Sequence, residues 1–141
     1  MSCNKINSAV ITPVLAAGSV TSPYYFQVNI SQRLCWPACA DLAPVFNPAF
    51  SVENVSQVGT GEYVATVKVE GVISYVPCGQ SSCCTKAQVI SQTFTIPIAS
   101  ATAPTGVTIA QGVSVNTVST SACQTCGRAF VSETPLVVTV A

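Results

Sequence analysis

The segment EYVATVKVEGVISYV, residues 62–76, alternates apolar and polar side chains over most of its length. Tyr63, Ala65, Val67, Val69, Ile73 and Tyr75 share one parity, and Thr66, Lys68, Glu70 and Ser74 share the other. A helix, with about 3.6 residues per turn, would scatter these apolar residues around its surface, whereas a pleated strand lines them up on one face. Gly71, in the middle of the run, predicts a bulge or bend. The pattern recurs along the chain. Tyr24, Phe26, Val28 and Ile30 alternate with Tyr25, Gln27, Asn29 and Ser31; Ile90, Phe94, Ile96 and Ile98 share a face with Gln88 and Gln92; Val107, Ile109, Val113 and Val115 align in a fourth run.

NSAVITPVL near the start, FSVENVSQV (50–58) and AFVSETPLVVTVA (129–141) complete about seven strands, with Pro135 predicting an edge or a break in the last. Clusters of Gly, Pro, Ser and Cys separate them at the spacing of an all-β sandwich or barrel. Leu34 to Pro48, which carries three prolines, two cysteines and the only tryptophan, reads as the one irregular stretch. The expected architecture is all-β: a single antiparallel, jelly-roll-like β-sandwich over residues 13–141, preceded by a short extended N-terminal arm, residues 1–12.

Charge narrows the function. Only 7% of the 141 residues are charged, five cations against five anions, while 49% are hydrophobic. A small domain ordinarily stays dispersed through net charge and a mixed charged surface. This chain has neither, so either hydroxyl and amide groups coat its surface or much of that surface is buried against other copies. Near-zero net charge promotes association and favours the second. Five scattered cations form no basic stripe of the kind a nucleic-acid partner requires. No apolar run approaches the roughly 20 residues of a membrane-spanning helix; AVITPVLAAGSV (9–20) is short and contains a proline. MSCNKINS holds a single lysine and no convincing cleavage site follows the apolar run, so the segment reads as mature structure rather than a signal peptide.

Eight cysteines carry the remaining chemistry: Cys3, Cys35, Cys39, Cys78, Cys83, Cys84, Cys123 and Cys126. A tetrahedral metal site would need a second C-x2-C pair or histidines. Cys123-x2-Cys126 is the only such pair and the chain has no histidine. A redox C-x-x-C wants the first cysteine at a helix N-terminus, yet this one lies between strands. Nucleophilic catalysis lacks its usual base, and Asp41 and the four glutamates form no acid–base pair. No catalytic residue, metal or cofactor is therefore expected.

Disulfides are the favoured reading, although eight cysteines allow 105 connectivities. Local closures of Cys35 with Cys39, Cys78 with Cys83, and Cys123 with Cys126 are conceivable. Cys3, on the arm, is placed to bond across a subunit interface to Cys83 or Cys84, with Cys84 the preferred spare sulfur of the CGQSSCCTK hairpin end. Trp36 reads as a loop anchor; with Tyr24 and Tyr25 it is also the aromatic set that a binding module would expose.

A short N-terminal arm bearing Cys3, an all-β body, the Cys83-Cys84 pair and few charges together resemble the subunits of bacterial endospore appendages. The resemblance implies a jelly-roll subunit that stacks into a fibre, with its N-terminal connector held in neighbouring subunits by disulfides. Residues 62–98, from EYVATVKVEGVISYV to SQTFTIPI, are similar to the repeat unit of spore-coat assembly proteins. Both resemblances imply a spore surface made inside a mother cell that lyses, which accommodates disulfides without an export signal. The expectation is a non-enzymatic structural subunit that assembles with itself into an extracellular or spore-surface fibre or coat. The alternatives are a virion capsid or decoration protein and a monomeric adhesin or carbohydrate-binding module.

Overall fold

The computed structural model describes residues 9–18, 22–39, 42–78, 85–100, 102–119 and 126–141. The chain is all-β and folds into two antiparallel sheets. In chain order the strands are β1 (Val10–Leu15), β2 (Tyr24–Cys39), β3 (Val45–Phe46), β4 (Ala49–Gly59), β5 (Glu62–Tyr75), β6 (Lys86–Ala99), β7 (Val107–Gln111), β8 (Val115–Ser119) and β9 (Cys126–Val140). The first sheet runs β1-β2-β9, with β7 and β8 both paired to the far side of β9. The second is centred on β5, with β6 on one side and β3 and β4 end to end on the other. Among the described residues no helix is long and apolar enough to cross a membrane.

The predicted inner faces are the buried ones. Tyr63, Ala65, Val67, Val69, Ile73 and Tyr75 of β5 are buried, as are Tyr24, Phe26, Val28 and Ile30 of β2 and Ile90, Phe94, Ile96 and Ile98 of β6. Phe46 and Phe130 meet edge to face at 5.5 Å in the middle of this core, and Phe50 meets Phe94 in the same way at 6.1 Å. Edge-to-face contact sets the positive ring edge against the negative face of its neighbour, adding to what burial supplies.

Several expectations are corrected. Gly71 makes no bulge: β5 pairs with β6 without interruption from Glu62↔Ala99 to Tyr75↔Lys86. The glycine is there because a Cβ would lie 2.5 Å from Phe46 Cε1. The irregularities fall instead in β4, between Val52 and Asn54 and between Gln57 and Gly59. The stretch from Leu34 to Pro48 is not wholly irregular, since β2 continues to Cys39 and β3 follows. Val10, Ile11 and Thr12, assigned to the arm, pair with Ser31, Ile30 and Asn29 and belong to the body.

The run from Val107 to Val118 is two strands, and Val113 and Val115 are exposed while Val118 is buried. Its interruption answers Pro135. That proline sits inside unbroken β9, paired with Gln27 of β2, and the break lies in its other neighbour. The Pro135 carbonyl accepts from the Gly112 N–H at 2.8 Å, so the ring nitrogen, which cannot donate, faces the same side. There β7 has ended and β8 has not begun, and no ladder bond is lost. Gly112 allows the close approach: a Cβ would lie 2.6 Å from Pro135 Cγ.

Candidate functional site

Side-chain amides close the gaps between the two sheets. On one flank Gln92 of β6 donates to the Ala9 carbonyl at 2.6 Å and accepts from the Ala9 N–H at 3.1 Å. Further along β6, Gln88 donates to the Arg33 carbonyl at 2.9 Å and accepts from the Cys35 N–H at 3.2 Å. On the opposite flank Gln111 donates to the Pro48 carbonyl and accepts from the Phe50 N–H, while Asn116 donates to the Phe46 carbonyl at 3.1 Å. A primary amide presents one donor and one acceptor side by side, so each glutamine imitates one rung of a strand and satisfies main-chain groups that have turned inward. Sequence parity placed Gln88 and Gln92 on the inner face; it could not show what they bind. Gln88→Leu removes both bonds; the Arg33 carbonyl keeps its bond from Gln32 Nε2 at 3.0 Å, and the part-buried Cys35 N–H loses the Gln88 oxygen. It should cost about 1–3 kcal/mol in urea unfolding, the range for one hydrogen-bonding group deprived of its partner; Thr95→Leu, on the exposed face, should cost under about 0.5 kcal/mol.

The cysteines gather where Gln88 acts. Beyond Ser31, the last residue paired to β1, β2 turns across the end of the sandwich. Ala38 bridges Pro77, the Cys39 N–H donates to the Val76 carbonyl at 3.3 Å, and the Cys78 N–H donates to the Pro37 carbonyl at 2.8 Å. Cys35, Cys39 and Cys78 are thereby brought to one end, and Cys126 takes the position opposite Cys39 in the β2–β9 register. Cys35 and Cys78 are each engaged in a disulfide. Cys39, expected among the disulfide-forming residues, carries a free thiol and is half-buried. The local Cys35–Cys39 closure therefore does not form: four residues of extended strand separate Cα atoms by roughly 13 Å, about twice a disulfide's reach. Cys3, Cys83, Cys84 and Cys123, and with them the closures and intersubunit bonds expected of them, lie outside the described residues.

Trp36 anchors this end, as expected of it. It is half-buried against the core; its main-chain N–H donates to Tyr75 Oη at 3.3 Å, and Lys86 Nζ sits 5.6 Å from the ring centroid. Burial raises the Tyr75 phenol pKa above its ordinary value, against smaller lowering effects from the Trp36 N–H and from Arg128. The aromatic patch of a binding module is not assembled. Tyr24 is buried and donates to the Ala99 carbonyl at 2.9 Å, while Tyr25, on the other face of β2, is exposed. A shallow apolar groove of about 450 Å³ opens beside Tyr24, lined by Leu15, Val58, Tyr63, Ile98 and the single carboxylate Glu62.

Among the described residues no three of His, Cys, Asp and Glu cluster as metal ligands. The one ion pair found there joins Lys68 to Glu70 at 2.9 Å on the surface of β5, where the hydrogen bond to Glu70 raises the lysine pKa.

The open sheet margins complete the site. Among the described residues β6 pairs only with β5, and β1 only with β2. Pro97 of β6 can pair with Val64 only if its nitrogen faces away from β5. The two-residue period then turns the main-chain groups of Ala87, Val89, Ser91, Thr93 and Thr95 outward as well. From Ala87 to Ile96 this margin contains no charge and no proline.

Comparison with known proteins finds no family, no curated protein and no solved structure that matches this chain.

Proposed function

We propose that the protein is a non-enzymatic structural subunit, a jelly-roll-type sandwich that assembles with itself into a fibre or coat at a spore or other extracellular surface. Strand addition joins the subunits and disulfides lock them. The observation that carries this reading is the margin of β6. A long, uncharged strand edge is an aggregation hazard that monomeric proteins suppress with charges, prolines, bulges or covering segments. Here ten successive residues, Ala87 to Ile96, lack the first two, and the β5–β6 pairing has no bulge.

Other features support it. Val10, Val14, Tyr25, Val89 and Val115 are exposed on strands, and the whole chain carries ten charges that sum to zero. Pairing of a second chain along β6 would satisfy its main-chain groups and cover Val89, in the manner of β-augmentation.

Thr93→Pro tests this. Proline at an outward position removes no β5–β6 bond but takes one donor from the open margin and places a ring there. The variant should melt within a few degrees of the parent and sediment as a monomer at concentrations where the parent forms large species. Undiminished assembly of a well-folded Thr93→Pro protein would refute β6 as the joining edge.

A further inference from the structure

Arginine is scarce in this chain, and both copies of it reach the same place. Arg33 and Arg128 are the only arginines, and with Ser31, Gln32 and Ala129 they line one open cleft of about 300 Å³ between β2 and β9. The strand register accounts for the cleft. Arg33 faces Ala129 and Ala38 faces Gly127, so four residues of β2, Leu34 to Pro37, stand against the single residue Arg128 of β9. Those four turn to other partners: the Cys35 N–H bonds to Gln88 and the Trp36 N–H to Tyr75 Oη. Extra residues of this kind disrupt the ladder and re-aim the side chains beside them. Arg128 shares the parity of Phe130 and Ser132, both fully buried on the inner face, yet it is exposed.

The charge in the cleft is unbalanced. Among the described residues neither guanidinium has a hydrogen-bond or ion-pair partner, and the one ion pair there joins Lys68 to Glu70. None of the described carboxylates, Glu53, Glu62, Glu70 and Glu133, lines the cleft. Two like charges held in one cleft repel, and an anion between them turns that repulsion into attraction. Each guanidinium offers a planar fork of N–H donors that matches the oxygens of a phosphate or carboxylate. A phosphate group carries about −1.5 to −2 charges at pH 7 and so balances two arginines, which a single carboxylate does not. Ser31 brings a hydroxyl able to donate a further bond.

We propose that this cleft is a phosphate-binding site, in which Arg33 and Arg128 hold the phosphate group of inorganic phosphate or of a small phosphate monoester between their guanidiniums. The site rests on neither the β6 margin nor assembly.

The test is equilibrium dialysis of the purified full chain against radiolabelled inorganic phosphate at constant ionic strength, which reads binding in dispersed and assembled protein alike. The expected result is saturable uptake of about one phosphate per chain with Kd at or below about 1 mM. Arg33→Gln and Arg128→Gln should each weaken it about ten- to hundredfold, the loss of a charged hydrogen-bonding partner. Arg128→Lys, which keeps the charge without the fork, should fall between Arg128→Gln and the parent. Lys68→Gln removes the same charge away from the cleft and should change the affinity less than about twofold. Phenyl phosphate that displaces the label extends the site to monoesters, and label that phenyl phosphate leaves in place assigns it to free phosphate. Uptake that does not saturate overturns the proposal, as do equal losses in Lys68→Gln and Arg128→Gln or equal displacement by acetate. All four substitutions are at exposed or half-exposed positions on the surface, where each should leave the fold intact, and the parent's own binding curve needs no variant.

Discussion

Phe46→Ala should destabilise the domain by about 3–5 kcal/mol, the loss typical of a fully buried phenylalanine, read as a fall in the urea midpoint. Phe46 belongs to a strand of two residues, so local structure does little to hold it. Its ring does most of the work: it is 1% exposed, stands edge to face with Phe130, and lies over Gly71. Deleting it opens a cavity between the sheets and removes the contact that keeps β3 on β5. The main chain of Phe46 also accepts the Asn116 amide, a bond that joins the sheets, so loosening β3 frees that flank as well. Phe50→Ala, at a half-buried ring on the margin of the same core, should lose clearly less. A loss below about 1 kcal/mol at Phe46 would mean that the ring does not fill the core.

Gly71→Ala should also destabilise, against the direction of intrinsic propensity. Alanine is ordinarily better than glycine inside a strand or helix by roughly 0.5–1 kcal/mol. Here the added methyl would sit 2.5 Å from Phe46 Cε1, with two more ring carbons at 3.2 Å. Phe46 cannot swing away because Phe130 stands against it, so overpacking dominates and a loss of about 1–3 kcal/mol is expected. The cause can be isolated: in a Phe46→Leu background the methyl gains room, and the cost of Gly71→Ala should shrink by at least about 0.5 kcal/mol, the coupling typical of residues in contact. Strict additivity would show that the Gly71 backbone, rather than the ring above it, sets the preference.

What the sequence made legible follows from the period of a strand. The parity of Tyr63 to Tyr75 survives Gly71 unbroken, so the inner face of β5 could be read directly, and the same held for β2 and β6. Breaks were misread wherever their cause lay in a distant segment. Pro135 signals an interruption, but the strand interrupted is its neighbour, between Gln111 and Val115, and only the pairing reveals that. Leu34 to Cys39 looked like a loop because a proline and two cysteines crowd it. It is extended because its main chain finds partners far away, at Gln88 and at Val76 to Cys78.

The amide clamps show the same limit. Two glutamines on an otherwise apolar face are a visible anomaly, yet Gln92 and Ala9 are 83 positions apart. At the cysteine end, composition pointed to disulfides and against a metal or a nucleophile. Spacing invited local closures, and for Cys35 and Cys39 the extended geometry of β2 rules one out. An open strand margin is a property of sheet order, which no local pattern encodes, and so β6 emerges only from the fold.

The proposed assembly is tested most directly by negative-stain electron microscopy of the purified protein, imaged with and without dithiothreitol. Fibres or sheets that persist without reductant, loosen or shorten with it, and are lost in Thr93→Pro are the predicted result. Closed shells would place the same sandwich in a capsid instead. Dispersed particles of about 14.5 kDa under all conditions, confirmed by sedimentation, would contradict the account.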